Sequence, residues 1–407
     1  SQRLTKSIAL SRNTLLVQDS SSPIAFLRMR TFANVLGWML VTHSYSFARA
    51  FNRAFIRQPR IHSGRIIGRI PTQSNRLHST LAPEGIMNST SPQDMQYPIE
   101  MTEEEKYLFD LNGFIIVRGV LEEEEIEAAN KAIDNHASEM VERSDAALRN
   151  AVKDTKFYGQ GPGRMDLGRV LEWGQESKVF KSILAHPRLV PLFHGILGKG
   201  YRMDHLPFVL AQDRGSEGFQ LHGGTIDCQS GEYNPFLAYT CQHGTISTAL
   251  LGCNVILSDH NAGDGGFCVV PGSHKSNFKM PKGMVDGERF EEFVIQPPTK
   301  AGDVILFSEG TVHGAKSWTA DHQRRTCLYR FSPATNVYGR SYFGHEGGGW
   351  PKRTYEDLSP AQKAVLEAPF ANRLDRPNIN PDGSVEVTTR SERKKQHDHD
   401  VFGTKYF

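Results

Sequence analysis

The rhythm of the stretch from Leu206 to Phe331 constrains the fold of this 407-residue chain more than any other feature. Short apolar runs (Leu206–Ala211, Ala249–Leu257, Gly266–Val270, Val304–Phe307, Thr326–Phe331) alternate with turns rich in Gly, Pro, Asp and Asn. That cadence predicts an antiparallel β-sandwich or barrel. Upstream, Thr102-Glu103-Glu104-Glu105 is a capping box, in which hydroxyl and carboxylate satisfy each other's free amides. A helix therefore begins at Thr102 and stops near Gly113, a residue suited to a helix C-terminus. Phe114–Val120 reads as a buried strand and Leu121–Met140, acidic early and apolar at helical spacing, as a second helix. Ser359-Pro360-Ala361-Gln362 is another capping box, with proline at the first helical position. The expected class is α+β, mainly β, with one domain over residues 99–370. After about Ala371 the chain turns polar, and 371–407 is expected to be a fraying C-terminal tail.

Charge and cysteine content exclude several functions. The formal net charge of +2 hides an asymmetry: residues 1–83 carry 12 Arg/Lys and one acid, Asp19, while the rest carries 35 basic and 44 acidic groups. A slightly acidic body is a poor partner for nucleic acid, which needs clustered cations on one face. The five cysteines are odd in number and form no CxxC pair, which argues for reduced thiols rather than a disulfide framework or zinc ribbon. The longest apolar run, Phe32 to Val41, is about half the roughly 18–20 residues of a membrane span. Residues 1–82 form an acid-poor, Arg- and Ser-rich leader, expected to be disordered, that resembles a mitochondrial transit peptide. A secretory reading of Met29-Arg30 and the run after it, or a basic tail with no address, are the alternatives. Residues 83–98 read as a polar linker, and Lys405-Tyr406-Phe407 is no peroxisomal signal.

Among 16 histidines, two stand in suggestive contexts. His222 ends a strand and leads into Gly223-Gly224, and His313 closes the stretch Gly302–His313, which reads as a strand, a glycine-containing bend and then the histidine. Eleven residues on, Arg324 heads another strand, with Thr326 on its face and Arg325 pointing the other way. This order of His, GDVILF, His and Arg resembles the iron(II)- and 2-oxoglutarate-dependent dioxygenases, specifically the phytanoyl-CoA dioxygenase family. Tyr107–Ala129 and Gly263–Asn277 (GDGGFCVVPGSHKSN) resemble that family too, and the likeness covers about residues 99–340.

The resemblance implies a double-stranded β-helix, the cupin-like jelly roll, with flanking helices and a site in the barrel mouth. It implies that His222 and His313 hold Fe(II), that Arg324 binds the far carboxylate of 2-oxoglutarate, and that Thr326 assists with its hydroxyl. A planar guanidinium suits a carboxylate better than an ammonium does. Gln220, two residues before His222, is a candidate pocket-lining and substrate-binding residue. The implied reaction consumes O2 and hydroxylates an unactivated C–H bond of a small-molecule or acyl substrate, with no catalytic residue beyond the metal site.

One position departs from the pattern. Two residues after His222, where the family has Asp, stands Gly224, which has no side chain to ligate with. Glu309 is the leading substitute: four residues before His313, it would lie about 13 Å away in a regular strand, but a bend at Gly310 brings it in. Asp227 and Asp259 are weaker candidates, each with a loop-amide role as the simpler explanation. Two further readings stay open: a halogenase that places halide at the vacant position, as in iron halogenases with a small residue here, and a non-catalytic binding or scaffold member.

Overall fold

The computed structural model describes residues 97–143, 151–344 and 348–404. The leader, nearly all of the linker and Lys405–Phe407 lie outside the described residues. In chain order the strands are β1 (Phe114–Val117), β2 (Val141–Glu142), β3 (Met165–Leu167), β4 (Arg202–Gln212), β5 (Phe219–His222), β6 (Tyr239–Gln242) and β7 (Thr245–Thr248). They continue as β8 (Leu251–Ile256), β9 (Gly266–Val269), β10 (Val304–Ser308), β11 (His313–Lys316), β12 (Arg324–Ser332), β13 (Pro377–Ile379) and β14 (Val385–Val387). The larger sheet runs β1-β10-β8-β12-β4-β3-β2 and the smaller β5-β11-β9, every pair antiparallel. This is the expected jelly roll.

Alternation sorts the larger sheet's side chains into two layers. Cys253 and Val255 of β8, Val304 and Leu306 of β10, and Cys327, Tyr329 and Phe331 of β12 share one core with Ile126, Ala129 and Ile133 of the helix Glu123–Asn135. Leu192, Phe193 and Ile196 of the helix Val190–Leu197 join it. Each buried side chain of this size contributes about 1.5–3 kcal/mol. The opposite face of the same strands presents Asn254, Phe307, Arg324, Leu328 and Arg330 to a cavity bounded on its other side by β5, β9 and β11. Thus the helices cover the outside, and the inter-sheet space carries the polar groups.

The first helix, Glu103–Asn112, is capped at Thr102 by the full capping box and ends on Gly113 at φ 80°. The strand expected to reach Val120 stops at Val117, because Gly119 turns (φ 57°) and its amide, with the Arg118 guanidinium, bonds the Asp303 carboxylate. The four buried cysteines and exposed Cys241 are all free. No helix among the described residues is long and apolar enough to cross a membrane.

The C-terminal segment does not fray. Residues Pro377–Ile379 pair with Val385–Val387, and Glu392–Phe402 is helical. Its polar residues are tied down: Arg373 donates to the carbonyls of Gly200 (2.6 Å) and Ala364 (3.0 Å), and Arg390 bridges Asp375 and the fully buried Asp398. Polar composition suggested a tail because ion pairing between distant residues leaves no local periodicity.

Candidate metal centre

Strands β5 and β11 pair with His222 directly opposite His313, and their ring centroids lie 4.3 Å apart. Before β11 the chain does not stay extended. The Thr311 amide donates to the Ser308 carbonyl (2.8 Å) and the Gly310 amide to the Ser308 hydroxyl (3.1 Å), a tight turn that folds Glu309 back toward His313. Only glycine fits at 310, since a Cβ there would stand 2.4 Å from the Leu237 carbonyl oxygen. As a result one ligand atom each of His222, Glu309 and His313 all lie within 4.8 Å of one another.

Hydrogen bonds fix which atoms face inward. His222 Nδ1 lies 2.9 Å from the Gln220 carbonyl oxygen and His313 Nδ1 2.8 Å from that of Thr311. A carbonyl only accepts, so both Nδ1 atoms carry the proton and both Nε2 atoms keep a free lone pair. That arrangement orients imidazoles for metal binding. Glu309 accepts from Arg330 Nε through Oε1 (2.6 Å), while its Oε2 lies 3.5 Å from His313 Nε2. Burial, then the neighbouring His313, pushes the His222 imidazole down to about 3, and burial likewise lowers His313. Burial works to raise the Glu309 carboxyl, but Arg330 and then the two histidines hold it down at about 2. Two neutral imidazoles and one carboxylate, with ring contacts from Phe219 to His222 and from Phe307 to His313, form a donor set suited to a divalent cation.

The glycine at 224 cannot be exchanged for the usual acid without cost. Its φ is 105°, and an added Cβ would meet the Ile226 carbonyl oxygen at 2.4 Å. The backbone there turns in a way open to glycine and closed to aspartate.

A cavity of about 260 Å³ adjoins the histidines, and Arg324 lines it from β12. Arg324 is 4% exposed; its Nη1 donates to Gln212 (2.5 Å), its Nε has no partner, and no carboxylate among the described residues pairs with it. Burial, then the charge of Arg164, lowers its guanidinium to about 9. A buried cation in that position is set up to receive an anion.

Two expected site residues do not reach the cavity. Thr326 is fully buried, its hydroxyl held by Asn254 and by the Val255 carbonyl at 2.9 Å; Asn254, not Thr326, lines the space. Gln220 faces away, donating to the Val285 carbonyl (2.8 Å). The cause is an extra residue in β5: His222 and Phe219 pair with His313 and Ala315, so three steps on one strand match two on the other. That bulge reverses the alternation, and Phe219 rather than Gln220 shares the face of His222. Asp227 and Asp259 cap loop amides, of Gln229 and Ser230 and of Ala301 respectively. Arg325 does point away, to Asp134.

Sequence reasoning missed Arg330, Asn254, Gln212 and Arg164, all of which line the cavity. Arg330 shares strand parity with Arg324, a signal within reach of period-two alternation. Arg164 carries none, lying immediately before β3, a three-residue strand next to the sheet's edge strand β2.

Residues 109–326 match the family model described as phytanoyl-CoA dioxygenase. No curated protein matches the chain in sequence. Among solved structures, HygX from Streptomyces hygroscopicus, with nickel and 2-oxoglutarate bound, is similar at 21% identity and TM-score 0.46, over 58% of this chain and 90% of HygX. The non-haem α-ketoglutarate-dependent epimerase SnoN from nogalamycin biosynthesis aligns at 18% identity and TM-score 0.42, over 66% and 95% of the two chains. EctD from S. alaskensis, in its apoform, aligns at 18% identity and TM-score 0.41, over 59% and 79%.

Proposed function

The chain belongs to the phytanoyl-CoA dioxygenase family, and from that premise we propose that it is a non-haem iron(II)- and 2-oxoglutarate-dependent oxygenase that hydroxylates an unactivated C–H bond of a small-molecule or acyl substrate. The observation that carries this reading is the convergence of His222, Glu309 and His313 within 4.8 Å. His222 and His313 would hold iron through Nε2 and Glu309 through Oε2, a two-histidine, one-carboxylate set that leaves positions open. When bound, iron and 2-oxoglutarate supply the oxidising chemistry: one oxygen atom of O2 enters the substrate C–H bond as hydroxyl, the other enters succinate, and CO2 leaves.

The protein's own part is orientation and exclusion of water. Arg324, buried with an unpartnered Nε, would take the far carboxylate of 2-oxoglutarate. Gln212 holds the Arg324 guanidinium and Arg330 holds the Glu309 carboxylate, so both charged contacts are set before any ligand arrives. Phe208, Leu210, Phe267 and Leu328 give the cavity an apolar wall. A halogenase needs the carboxylate place vacant; with Glu309 beside the histidines, hydroxylation is the better-supported outcome.

The test is iron-dependent conversion of 2-oxoglutarate to succinate by the purified protein. The reading expects slow turnover without substrate, lost in His313→Ala. A folded protein that forms no succinate with iron present contradicts it and favours a non-catalytic binding role.

A further inference from the structure

Arg324 and Arg330 stand six residues apart on β12, so about 20 Å of extended backbone separates the points from which they enter one cavity. Glu309 lies at the Arg330 end: its Oε1 accepts from Arg330 Nε at 2.6 Å, while its Oε2 is 3.5 Å from His313 Nε2. A cosubstrate anchored on Arg324 approaches the metal ligands from the Arg324 end. The space around Arg330 is left to another molecule.

The bond to Glu309 uses one of the five N–H donors of a guanidinium. Nη1 and Nη2 of Arg330 make no hydrogen bond or ion pair with any described residue, and the side chain, 21% exposed, lines the cavity. The next strand supplies no competitor. The register partner of Arg330 on β8 is Gly252, where an added Cβ would stand 2.2 Å from the Phe307 ring, so no side chain fits there. A single N–H is enough to hold Glu309. The guanidinium adds a planar pair of donors at its outer end, a geometry that matches the oxygens of a carboxylate or phosphate and that an ammonium lacks. The cavity is about 260 Å³ and has to admit the cosubstrate as well, against roughly 300–1,000 Å³ for ordinary ligand pockets. The part of the guest that enters is therefore small.

We propose that Nη1 and Nη2 of Arg330 bind an oxyanion of the substrate, a carboxylate or a phosphate, and seat it beside the metal ligands at the end of the cavity away from Arg324. This rests on the functional reading above and narrows its substrate class to molecules with an acidic group.

The test holds full-length protein anaerobic with saturating Fe(II) and 2-oxoglutarate, so that Arg324 is already engaged, and follows the visible charge-transfer band. The probes are carboxylic acids of three to eight carbons, the phosphonic acids of the same chains and the matching primary amides. At least one acid is expected to shift the band saturably where its amide does not, because its oxyanion sits one carboxylate away from the metal. Which series responds identifies the group. The shift is expected to vanish in Arg330→Gln, brought to saturation with more Fe(II), and to survive in Arg164→Gln. Arg330→Lys, which keeps a cation beside Glu309 but no fork, is expected to bind the probe at least tenfold more weakly, and it carries the comparison if Arg330→Gln does not hold iron. Equal responses to acids and amides in wild type, or no response to any probe, overturn the proposal without a variant. So does a shift that persists unchanged in the Arg330 variants. Variants that bind iron but no longer 2-oxoglutarate overturn it too, since the fork would then serve the cosubstrate. Failure of the functional reading looks different: no band in wild type with Fe(II) and 2-oxoglutarate alone.

Discussion

Glu309 Oε2 and His313 Nε2 lie 3.5 Å apart although the residues are four positions apart in a segment that begins and ends in strand. The turn at Gly310 makes this possible, and it places a carboxylate just past β10 beside the two histidines, whereas Gly224, just past β5, has no side chain to offer. Arg330 completes the arrangement by fixing the other carboxylate oxygen.

If Glu309 is the third ligand, Glu309→Ala lowers Fe(II) affinity by more than the about 10–100-fold typical of losing an outer-shell partner, and Arg330→Gln falls within that range. Metal titration of the three proteins checks this. Equal affinity in wild type and Glu309→Ala contradicts it.

Restoring the usual acid should fail. Gly224→Asp places a Cβ 2.4 Å from the Ile226 carbonyl oxygen at a φ of 105°, a strain on the order of 1–3 kcal/mol. Denaturant unfolding is expected to show that loss, and Gly224→Asp combined with Glu309→Ala to bind iron no better than Glu309→Ala alone. Recovery of iron binding in the double variant argues against the geometry described.

Arg324 separates stability from binding. Its charge is buried with no carboxylate partner among the described residues, so Arg324→Met without ligand should unfold no earlier than wild type. Wild type gains about 2.7 kcal/mol from 2-oxoglutarate at a hundredfold excess over Kd, and the variant gains almost none. Unchanged stabilisation in the variant sinks the assignment of Arg324.

How much of this was legible beforehand follows from which interactions are local. Thr102, Gly113 and Ser359 act within a few residues, and their caps form as the spacing implies. His222, His313, Arg324 and the bend at Gly310 were likewise readable. Gln220 was misplaced because a bulge in β5 is decided by pairing with β11, which no period-two count contains. Thr326 has the right parity, but Asn254 from the neighbouring strand covers it. Arg164 and the ordered C-terminal segment depend on partners far away in the chain, Arg373 with Gly200 among them.

Stability should fall on mild acidification. Burial, with Lys275 adding, takes the His274 imidazole down to about 4, although the Asp110 carbonyl opposes this; burial and Arg188 do the same to His186. The unfolded chain takes up these protons near 6.5 and the folded chain near 4. Their contribution is therefore full above about pH 6.5 and lost as pH falls toward 4, by up to about 1.4 kcal/mol per pH unit for each group. Urea unfolding at pH 7.5 and 5 is expected to show a smaller loss for His274→Gln than for wild type; identical losses contradict the assignment.

The central claim is that His222, Glu309 and His313 form one iron site served by Arg324. An anaerobic titration of the purified protein with Fe(II) and 2-oxoglutarate, followed by visible absorption, tests it most directly. A charge-transfer band that saturates with both ligands, and is abolished in His222→Ala, His313→Ala and Glu309→Ala, is the predicted result. No band in well-folded wild-type protein, or a band untouched in Glu309→Ala, contradicts it.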